Sequence, residues 1–282
     1  MSVTFPASVP FYKMQGSGND FVVIDNRAAR IPELEMQRFA VAACRRAFGI
    51  GADGIFFLDL PKERTDVDVI WHFFNADGSR AEMCGNASRC AARLAHMLGM
   101  AGPGLSIGTD AGVVRAEVFE DEREVRVQLT PPCGLETGIA LDLGGGEAFT
   151  GHFVNTGVPH AVIFVENVEN VDVDRLGRAI RYHARFAPAG TNVNFAQIVS
   201  AEAISLRTYE RGVEGETYAC GTGASAAVYL AHHLKLTGPD VQVTTSGGER
   251  LGIGVVEGAL FLRGKAEITF SGVLNLQSVG LA

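Results

Sequence analysis

Residues 84–98 have the sequence Cys84-Gly-Asn-Ala-Ser-Arg-Cys-Ala-Ala-Arg-Leu-Ala-His-Met-Leu98, and residues 220–234 have the related sequence Cys220-Gly-Thr-Gly-Ala-Ser-Ala-Ala-Val-Tyr-Leu-Ala-His-His-Leu234. The two stretches are identical at seven of fifteen positions, including the leading Cys-Gly and a later Leu-Ala-His. Both are rich in alanine, and Asn86 and Thr222 are polar residues suited to a first helical turn. We therefore predict a helix directly after each cysteine.

Two more pairs of segments repeat in the same order. Asn19-Asp-Phe-Val-Val-Ile24 matches Pro159-His-Ala-Val-Ile-Phe164, and Gly49-Ile-Gly-Ala-Asp53 matches Ala189-Gly-Thr-Asn-Val193. Landmarks that recur in one order at similar spacing predict a duplicated chain with two pseudo-symmetric lobes. Pro131-Pro132 and the glycine-rich stretch that follows mark the predicted domain break.

The rest of the chain alternates short β-type runs with a few helices. Residues 21–24, 55–58 and 67–74 have the composition of strands, and residues 33–48 have helical spacing. The tail from Val241 to Leu274 is typical of a β-meander. The predicted fold class is α/β (α+β) with mixed, largely antiparallel sheets, one around a central helix in each lobe.

Composition limits the kind of partner. The 282 residues carry 24 Lys and Arg against 32 Asp and Glu, a formal net charge of −8. An acidic chain disfavours nucleic acid or an anionic membrane as the main partner. Five cysteines in so long a chain do not form the pattern of a disulfide framework, so we expect a reducing, cytoplasmic setting.

A cysteine at a helix start has a specific chemistry. The unpaired backbone N–H groups and the helix dipole stabilise a thiolate there, and the same N–H groups can bind a carboxylate. If the lobes face each other, two thiols flank one site, where one removes an α-proton from an amino acid and the other returns a proton to the opposite face. Such a reaction needs no metal and no organic cofactor. We interpret Cys44, Cys90 and Cys133 as structural.

The chain resembles the diaminopimelate epimerase family along nearly its whole length. The segments that carry the resemblance are Lys13-Met-Gln-Gly-Ser-Gly-Asn-Asp-Phe21, Gly49-Ile-Gly-Ala-Asp-Gly54, Phe74-Asn-Ala-Asp-Gly-Ser79 with Met83-Cys-Gly-Asn86, Gly157-Val-Pro-His160, Gly190-Thr-Asn-Val-Asn-Phe195, and Tyr209-Glu-Arg-Gly-Val213 leading to Glu216-Thr-Tyr-Ala-Cys-Gly-Thr-Gly223. Some members carry Gln where this chain has Gly54 and Asn where it has Val158, so we expect other groups to supply those polar contacts.

The resemblance implies a first lobe of residues 1–130 plus 275–282, a second lobe of residues 131–274, and a site in the cleft between them. It implies that Cys84 and Cys220 are the acid/base pair that interconverts LL- and meso-diaminopimelate, with His160 and Glu210 beside them. The implied substrate-binding residues are Asn19, Asn75, Gly85, Asn86, Asn192, Glu210, Arg211, Gly221 and Thr222, where Arg211 suits the distal carboxylate. The resemblance leaves a homodimer open.

Two alternatives remain at this point. A racemase of another amino acid, such as histidine, would keep both cysteines and lose the distal contacts. A thiol–disulfide switch at Cys84 and Cys220 belongs to a different class of protein. The absence of a C-x-x-C motif disfavours the switch.

Overall fold

The computed structural model describes residues 6–119 and 123–281. The chain divides into two compact units, unit 1 of Met1–Val127 with Lys265–Ala282 and unit 2 of Gln128–Gly264. The predicted first boundary, residue 130, lies close to the end of the first segment of unit 1. The second boundary differs more, because residues 265–274, expected in the second lobe, belong to unit 1.

The described residues of unit 1 form a mixed sheet and three α-helices. The strands in its first segment are β1 (Ser8–Gly16), β2 (Asn19–Asp25), β3 (Gly54–Asp59), β4 (Val69–Asn75), β5 (Gly104–Thr109), β6 (Gly112–Phe119) and β7 (Glu124–Gln128). Its helices are α1 (Asn26–Ala29), α2 (Glu33–Cys44) and α3 (Gly85–Met97). Strand β1 pairs antiparallel with β2, β2 parallel with β3, β3 antiparallel with β4, β4 parallel with β5, and β5, β6 and β7 pair antiparallel in turn.

Unit 2 repeats this order of pairings. Its strands are β8 (Cys133–Gly144), β9 (Glu147–Asn155), β10 (Pro159–Phe164), β11 (Asn192–Ser200), β12 (Ala203–Glu210), β13 (Gly215–Thr217), β14 (Asp240–Thr245), β15 (Arg250–Val256) and β16 (Ala259–Lys265); its helices are α4 (Val173–Arg181) and α5 (Gly221–His233). Strands β9 and β10 are antiparallel, β10 and β11 parallel, β11 and β12 antiparallel, β12 and β14 parallel, and β14, β15 and β16 antiparallel in turn. The predicted fold class, with two duplicated lobes of mixed, largely antiparallel sheet, is confirmed.

The last strand of the chain accounts for the shifted boundary. Strand β17 (Glu267–Asn275) pairs antiparallel with β1 of unit 1, and β8 pairs with β9 in the corresponding place in unit 2. Only β14, β15 and β16 therefore form the meander that we predicted for the whole tail. Strand β17, which follows the second repeat along the chain, thus pairs with the first strand of the first repeat. Likewise β8, which follows the first repeat, pairs with β9, the first strand of the second repeat.

Each unit has a helix on both faces of its sheet. Helices α3 and α5 are buried on nearly every side, and their alanines allow the strands to approach closely. The opposite face packs on α2 in unit 1 and on α4 in unit 2. Alternation along β3 shows the two faces, because Ile55 and Phe57 join the apolar cluster around α2, whereas Phe56 contacts Phe21 and Phe73.

One close approach in unit 2 predicts a measurable cost. Gly177 of α4 lies against the buried Tyr209 of β12, and a Cβ at position 177 would be 2.4 Å from the Tyr209 Cβ. Gly177→Ala should therefore lower the free energy of unfolding by about 1–3 kcal/mol, although alanine is the better helix former by about 1 kcal/mol. Urea unfolding measures the change, with the exposed Ala179→Gly as a propensity control. Stabilisation by Gly177→Ala would show that this contact does not limit the packing.

Candidate active site

The two cysteines begin the two buried helices. Cys84 is the N-cap of α3, and the first helical bond there runs from Ser88 N to Cys84 O at 2.8 Å. Cys220 is the N-cap of α5, and Ala224 N donates to Cys220 O at 2.9 Å. Neither cysteine makes a side-chain capping bond. The backbone N–H groups of residues 85–87 and 221–223 come before the first hydrogen bond of each helix and have no partner within it. They include the predicted carboxylate-binding groups of Gly85, Asn86, Gly221 and Thr222.

In unit 1, the predicted residue Asn19 lies beside the half-buried Cys84. The Sγ of Cys84 is 3.7 Å from the Oδ1 of Asn19. The other end of the same amide, Nδ2, donates to Asp53 Oδ2 at 2.7 Å. Asp53 therefore determines which end of the Asn19 side chain faces the sulfur.

Four charged side chains hold this part of unit 1 together. Lys13 Nζ donates to Asp20 Oδ2 at 2.5 Å, and Arg46 Nη2 bonds both Asp20 at 3.1 Å and Asp53 at 3.0 Å. Burial raises the pKa of Asp20, but the hydrogen bond and charge of Lys13 outweigh burial, so the net pKa is lowered. Both carboxylates are thus paired with cations at the strand end that carries Asn19.

Asn86, in the first turn of α3, is held by a fully buried arginine. Arg89 Nη2 donates to Asn86 Oδ1 at 2.9 Å and to Ser17 Oγ at 2.6 Å, and Arg89 Nε donates to Lys265 O at 3.4 Å. One guanidinium therefore joins the helix start to the β1–β2 turn. Its positive charge adds to that of the helix N-terminus.

In unit 2, a chain of polar groups leads away from Cys220. The Cys220 Sγ is 3.5 Å from Thr222 Oγ1, which is 3.0 Å from His160 Nε2. On the other side of the ring, Asn194 Nδ2 lies 3.1 Å from His160 Nδ1. Thr208 Oγ1 donates to Asn194 Oδ1 at 3.0 Å. The predicted residue His160 is therefore linked to Cys220 indirectly, through the hydroxyl of Thr222.

His160 is neutral at physiological pH. Its side chain is completely buried, and burial together with the nearby charge of Arg211 lowers its pKa to about 3. The imidazole is therefore a hydrogen-bonding group in this protein rather than a charged one.

The remaining predicted residues of unit 2 are Asn192, at the start of β11, and Glu210 and Arg211, at and directly after the end of β12. Asn192 is buried, and its amide is occupied by the backbone, since Oδ1 accepts from Arg211 N at 2.8 Å and Nδ2 donates to Pro159 O at 3.1 Å. Arg211 Nη1 donates to Ala189 O at 3.2 Å. Glu210 Oε2 accepts from Thr217 Oγ1 at 2.8 Å, in the segment that leads to Cys220.

Comparison with known proteins identifies the chain. The family model described as diaminopimelate epimerase matches residues 11–133 and 152–269. The chain is 48% identical to diaminopimelate epimerase of Aquifex aeolicus, over 94% of this chain and 97% of that protein. It is 44% identical to diaminopimelate epimerase of Hydrogenobaculum sp., over 94% and 98% of the two chains. The chain belongs to the diaminopimelate epimerase family. It is therefore an isomerase, and its substrate is a small amino acid.

A solved structure shows the same fold at low sequence identity. The phenazine biosynthesis protein of the PhzF family from Bacillus anthracis is 14% identical, covers 94% of this chain and 98% of its own, and has a TM-score of 0.69. Within residues 6–119 and 123–281, none of the helices has the length and apolar character needed to cross a membrane.

The structure explains one departure from the family pattern. Gly54 is buried at the start of β3, where a Cβ would lie 2.9 Å from a Phe73 ring carbon and from Phe74 O. A side chain therefore does not fit here without a shift of the strand. Asn75 pairs with Gly54 across the sheet, is exposed, and donates through Nδ2 to Ser79 Oγ at 2.9 Å.

Several residues that hold the predicted site residues in place were not themselves predicted from the sequence. Asp53 and Asn194 both lie inside segments that carry the family resemblance. Only neighbouring residues in those segments were predicted to belong to the site. Strand alternation could have found Asn194, because residues 192 and 194 lie on one face of β11. Arg89 gave no such signal, since an arginine on a helix is usually exposed.

The other cysteines differ from the two at the helix starts. Cys44 and Cys90 are buried, and burial raises the pKa of each to about 12. Neither forms an appreciable thiolate at neutral pH. Cys133 is exposed at the start of β8.

The buried, neutral His160 predicts a pH-dependent stability. Its pKa is about 3 in the folded protein and near 6.5 in the unfolded chain, so between these values only the unfolded chain binds the proton. Stability is lost as the pH falls below 6.5, by up to about 1.4 kcal/mol per pH unit from this residue. Urea unfolding at pH 7.5, 6.0 and 5.0 should show a shallower decline for His160→Gln than for the natural protein.

The exposed His233 supplies the control. His233→Gln should leave the decline of the natural protein unchanged. Equal slopes for His160→Gln and the natural protein would mean that His160 titrates normally in the fold.

Proposed function

We propose that the protein interconverts LL- and meso-diaminopimelate by transferring the α-proton between Cys84 and Cys220. The observation that carries the proposal is the equivalent placement of the two thiols. Each is the N-cap of the buried helix of its unit, beside first-turn amides that precede the first helical bond. An epimerisation moves a proton between the two faces of a carbon and needs an acid/base group on each face. Two equivalent half-sites can supply these two groups.

The proposed reaction is balanced without any other reagent. One cysteine, as a thiolate, takes the proton from the α-carbon, and the electron pair of the C–H bond passes toward the α-carboxylate. The other cysteine, as a thiol, gives its proton to the opposite face of the carbon, and its sulfur becomes the thiolate. The proposal therefore includes the requirement that both sulfurs reach the same α-carbon.

The first-turn amides would stabilise the charge that develops on the carboxylate. Fixed N–H donors in a water-poor site stabilise such charge strongly, and the loss of one donor typically costs about 10² to 10³ in rate. In the proposal, the amides of Gly85 and Asn86 in unit 1 and of Gly221 and Thr222 in unit 2 supply these donors. Arg89 would keep Asn86 in place.

The polar residues of unit 2 take supporting parts in the proposal. His160 acts as a neutral hydrogen-bonding group, because its pKa of about 3 removes it as a proton carrier near pH 7. Glu210 would contact the reacting end of the substrate from the segment that leads to Cys220.

Recognition of the distal end would distinguish diaminopimelate from other amino acids. In the proposal, Arg211 binds the distal carboxylate, and Asn192 positions Arg211 through the bond to its backbone N–H. Asn19 and Asn75 would supply further polar contacts from unit 1. A site with buried groups for the distal end rejects substrates that lack it. We also propose that the protein works in the cytoplasm, where its thiols stay reduced.

Removal of either thiol tests the two-cysteine reaction. Cys84→Ala and Cys220→Ala should each abolish epimerisation while the protein stays folded by circular dichroism, because each direction needs one acid and one base. α-Proton exchange with LL-diaminopimelate in heavy water measures the activity. Cys133→Ala should keep full activity as the matched control. Near-normal turnover by either helix-start variant would remove the mechanism.

Replacement of Arg211 tests the substrate. Arg211→Ala should lower kcat/KM for diaminopimelate by about 10- to 100-fold, the usual loss for a charged hydrogen-bonded pair, and should affect the slow exchange of lysine or histidine far less. The exposed Arg178→Ala is the control. Equal losses on all substrates would argue against a distal role, and faster exchange of histidine than of diaminopimelate would favour the racemase alternative.

A further inference from the structure

The orientation of one buried amide, that of Asn194, is determined by its surroundings. Asn194 Nδ2 lies 3.0 Å from Ala161 O, and a carbonyl oxygen can only accept a hydrogen bond. The NH₂ group must therefore face Ala161, which leaves Oδ1 to accept from Thr208 Oγ1 at 3.0 Å. The same NH₂ group is 3.1 Å from His160 Nδ1, so this ring nitrogen is an acceptor.

This orientation determines the tautomer of His160. A neutral imidazole carries one N–H, and because Nδ1 accepts, the hydrogen is on Nε2. Nε2–H then donates to Thr222 Oγ1 at 3.0 Å. The hydroxyl keeps its own hydrogen for another acceptor, and Cys220 Sγ lies 3.5 Å away. The hydroxyl hydrogen is therefore available to the sulfur of Cys220, and a hydrogen bond in that direction favours the thiolate form.

In the hydrogen bond between Cys84 and Asn19, the sulfur is the donor instead of the acceptor. The carboxylate of Asp53 accepts from Asn19 Nδ2 at 2.7 Å, so Asn19 Oδ1 is the end that faces Cys84 Sγ at 3.7 Å. An amide oxygen only accepts, so Cys84 must be the donor in this contact. A donor sulfur carries its proton.

The hydrogen-bond networks of both cysteines also include charged groups. In unit 1, Asp20 and Asp53 oppose a Cys84 thiolate, and Lys13, Arg46 and Arg89 favour it, but the first two of these cations are engaged by the two carboxylates. Arg89 Nη2 is directed at Asn86 and Ser17. In unit 2, Arg211 favours a Cys220 thiolate and Glu210, bound to Thr217, opposes it. The paired charges offset one another in each unit, and the charge of Arg89 remains in favour of a Cys84 thiolate, so the proposal requires the hydrogen bond from Thr222 to Cys220 to outweigh it.

We propose that Asn194 is a positioning residue which, through His160 and Thr222, makes Cys220 the thiolate and leaves the proton on Cys84 in the unliganded protein. The proposal rests on the proposed function only for its catalytic consequence. In that reaction, the unliganded enzyme is ready for the stereoisomer whose α-hydrogen faces Cys220. The other stereoisomer needs the proton to move from Cys84 to Cys220 first.

A difference between the repeats supports this role. A Cβ at Gly223 would lie 2.3 Å from Asn194 Oδ1, so only glycine lets Asn194 approach α5 so closely. The first repeat has Ala87 at the matching place after its cysteine. Asn194 pairs with Val162 as Phe56 pairs with Val23, and Asn194 and Phe56 both lie on the sheet face opposite the α4 or α2 cluster, so the first repeat has an apolar residue where the second has the amide.

Labelling of each thiol across a pH series tests the proposal without substrate. A Cys133→Ser protein is treated with iodoacetamide, and trypsin then releases Cys84 in the peptide 81–89 and Cys220 in the peptide 212–235. Cys220 should be half-labelled at a pH about one to two units below that for Cys84, the shift expected of a hydrogen bond to a charged group. Earlier labelling of Cys84 would overturn the proposal.

Substitutions in the same protein locate the cause. Thr222→Val and Asn194→Leu should both raise the half-labelling pH of Cys220, whereas Thr222→Ser, which keeps the hydroxyl, should restore it. Ser225→Ala removes a different hydroxyl of α5, bonded to Gly221 O, and should change nothing. The same labelling pH for Thr222→Val and Thr222→Ser would overturn the relay even if Asn194→Leu fails to fold.

A spectroscopic measurement tests the tautomer directly. ¹⁵N NMR of the histidine rings, with His160 assigned by its loss in His160→Gln, should show the Nε2–H form between pH 5 and 8; the Nδ1–H form would overturn the proposal. These results are separable from the function. Labelling of Cys220 first in a protein without epimerase activity would overturn the function and leave the relay, and turnover with Cys84 labelled first would do the reverse.

Discussion

A helix that is buried on nearly every side can offer its polar backbone only at its ends, and this constraint organises both units. Helices α3 and α5 are alanine-rich and enclosed by the strands of their own units. Their first-turn amides need partners that the sheet does not supply. A cysteine occupies the N-cap in both, where its side chain leaves those amides available. The proposed reactive sulfur and the proposed carboxylate-binding amides are therefore placed by the same helix end.

The duplication kept the helix starts and changed what surrounds them. His160 of the second repeat is neutral and bonded to Thr222, whereas the first repeat has the apolar Phe21 at the corresponding register position, in contact with Phe56 and Phe73. Ala87 matches Gly223, which makes room for Asn194. Two thiols of equal position thus receive different neighbours. A proton transfer that needs one acid and one base benefits from such inequality.

Position within the fold, rather than the presence of a thiol, separates the cysteines. Cys90 follows Cys84 by less than two helical turns, yet it is completely buried and its pKa is raised to about 12. Cys44, at the end of α2, is also buried, and burial raises its pKa to about 12. Burial in apolar surroundings disfavours the charged form, whereas a helix N-terminus stabilises it.

By itself, the sequence determined the fold class, the two helices after Cys84 and Cys220, the duplication and the family, because these depend on local pattern and on the order of segments. Only the tertiary structure decided that β17 pairs with β1, since strand partners far apart in the chain leave no local signal. It also decided which end of the Asn19 amide faces Cys84, which end of the Asn194 amide faces His160, and that His160 stays neutral. The residues responsible, Asp53, Ala161 and the strands that bury His160, come from separate segments, and hydrogen-bond direction and burial exist only once those segments meet.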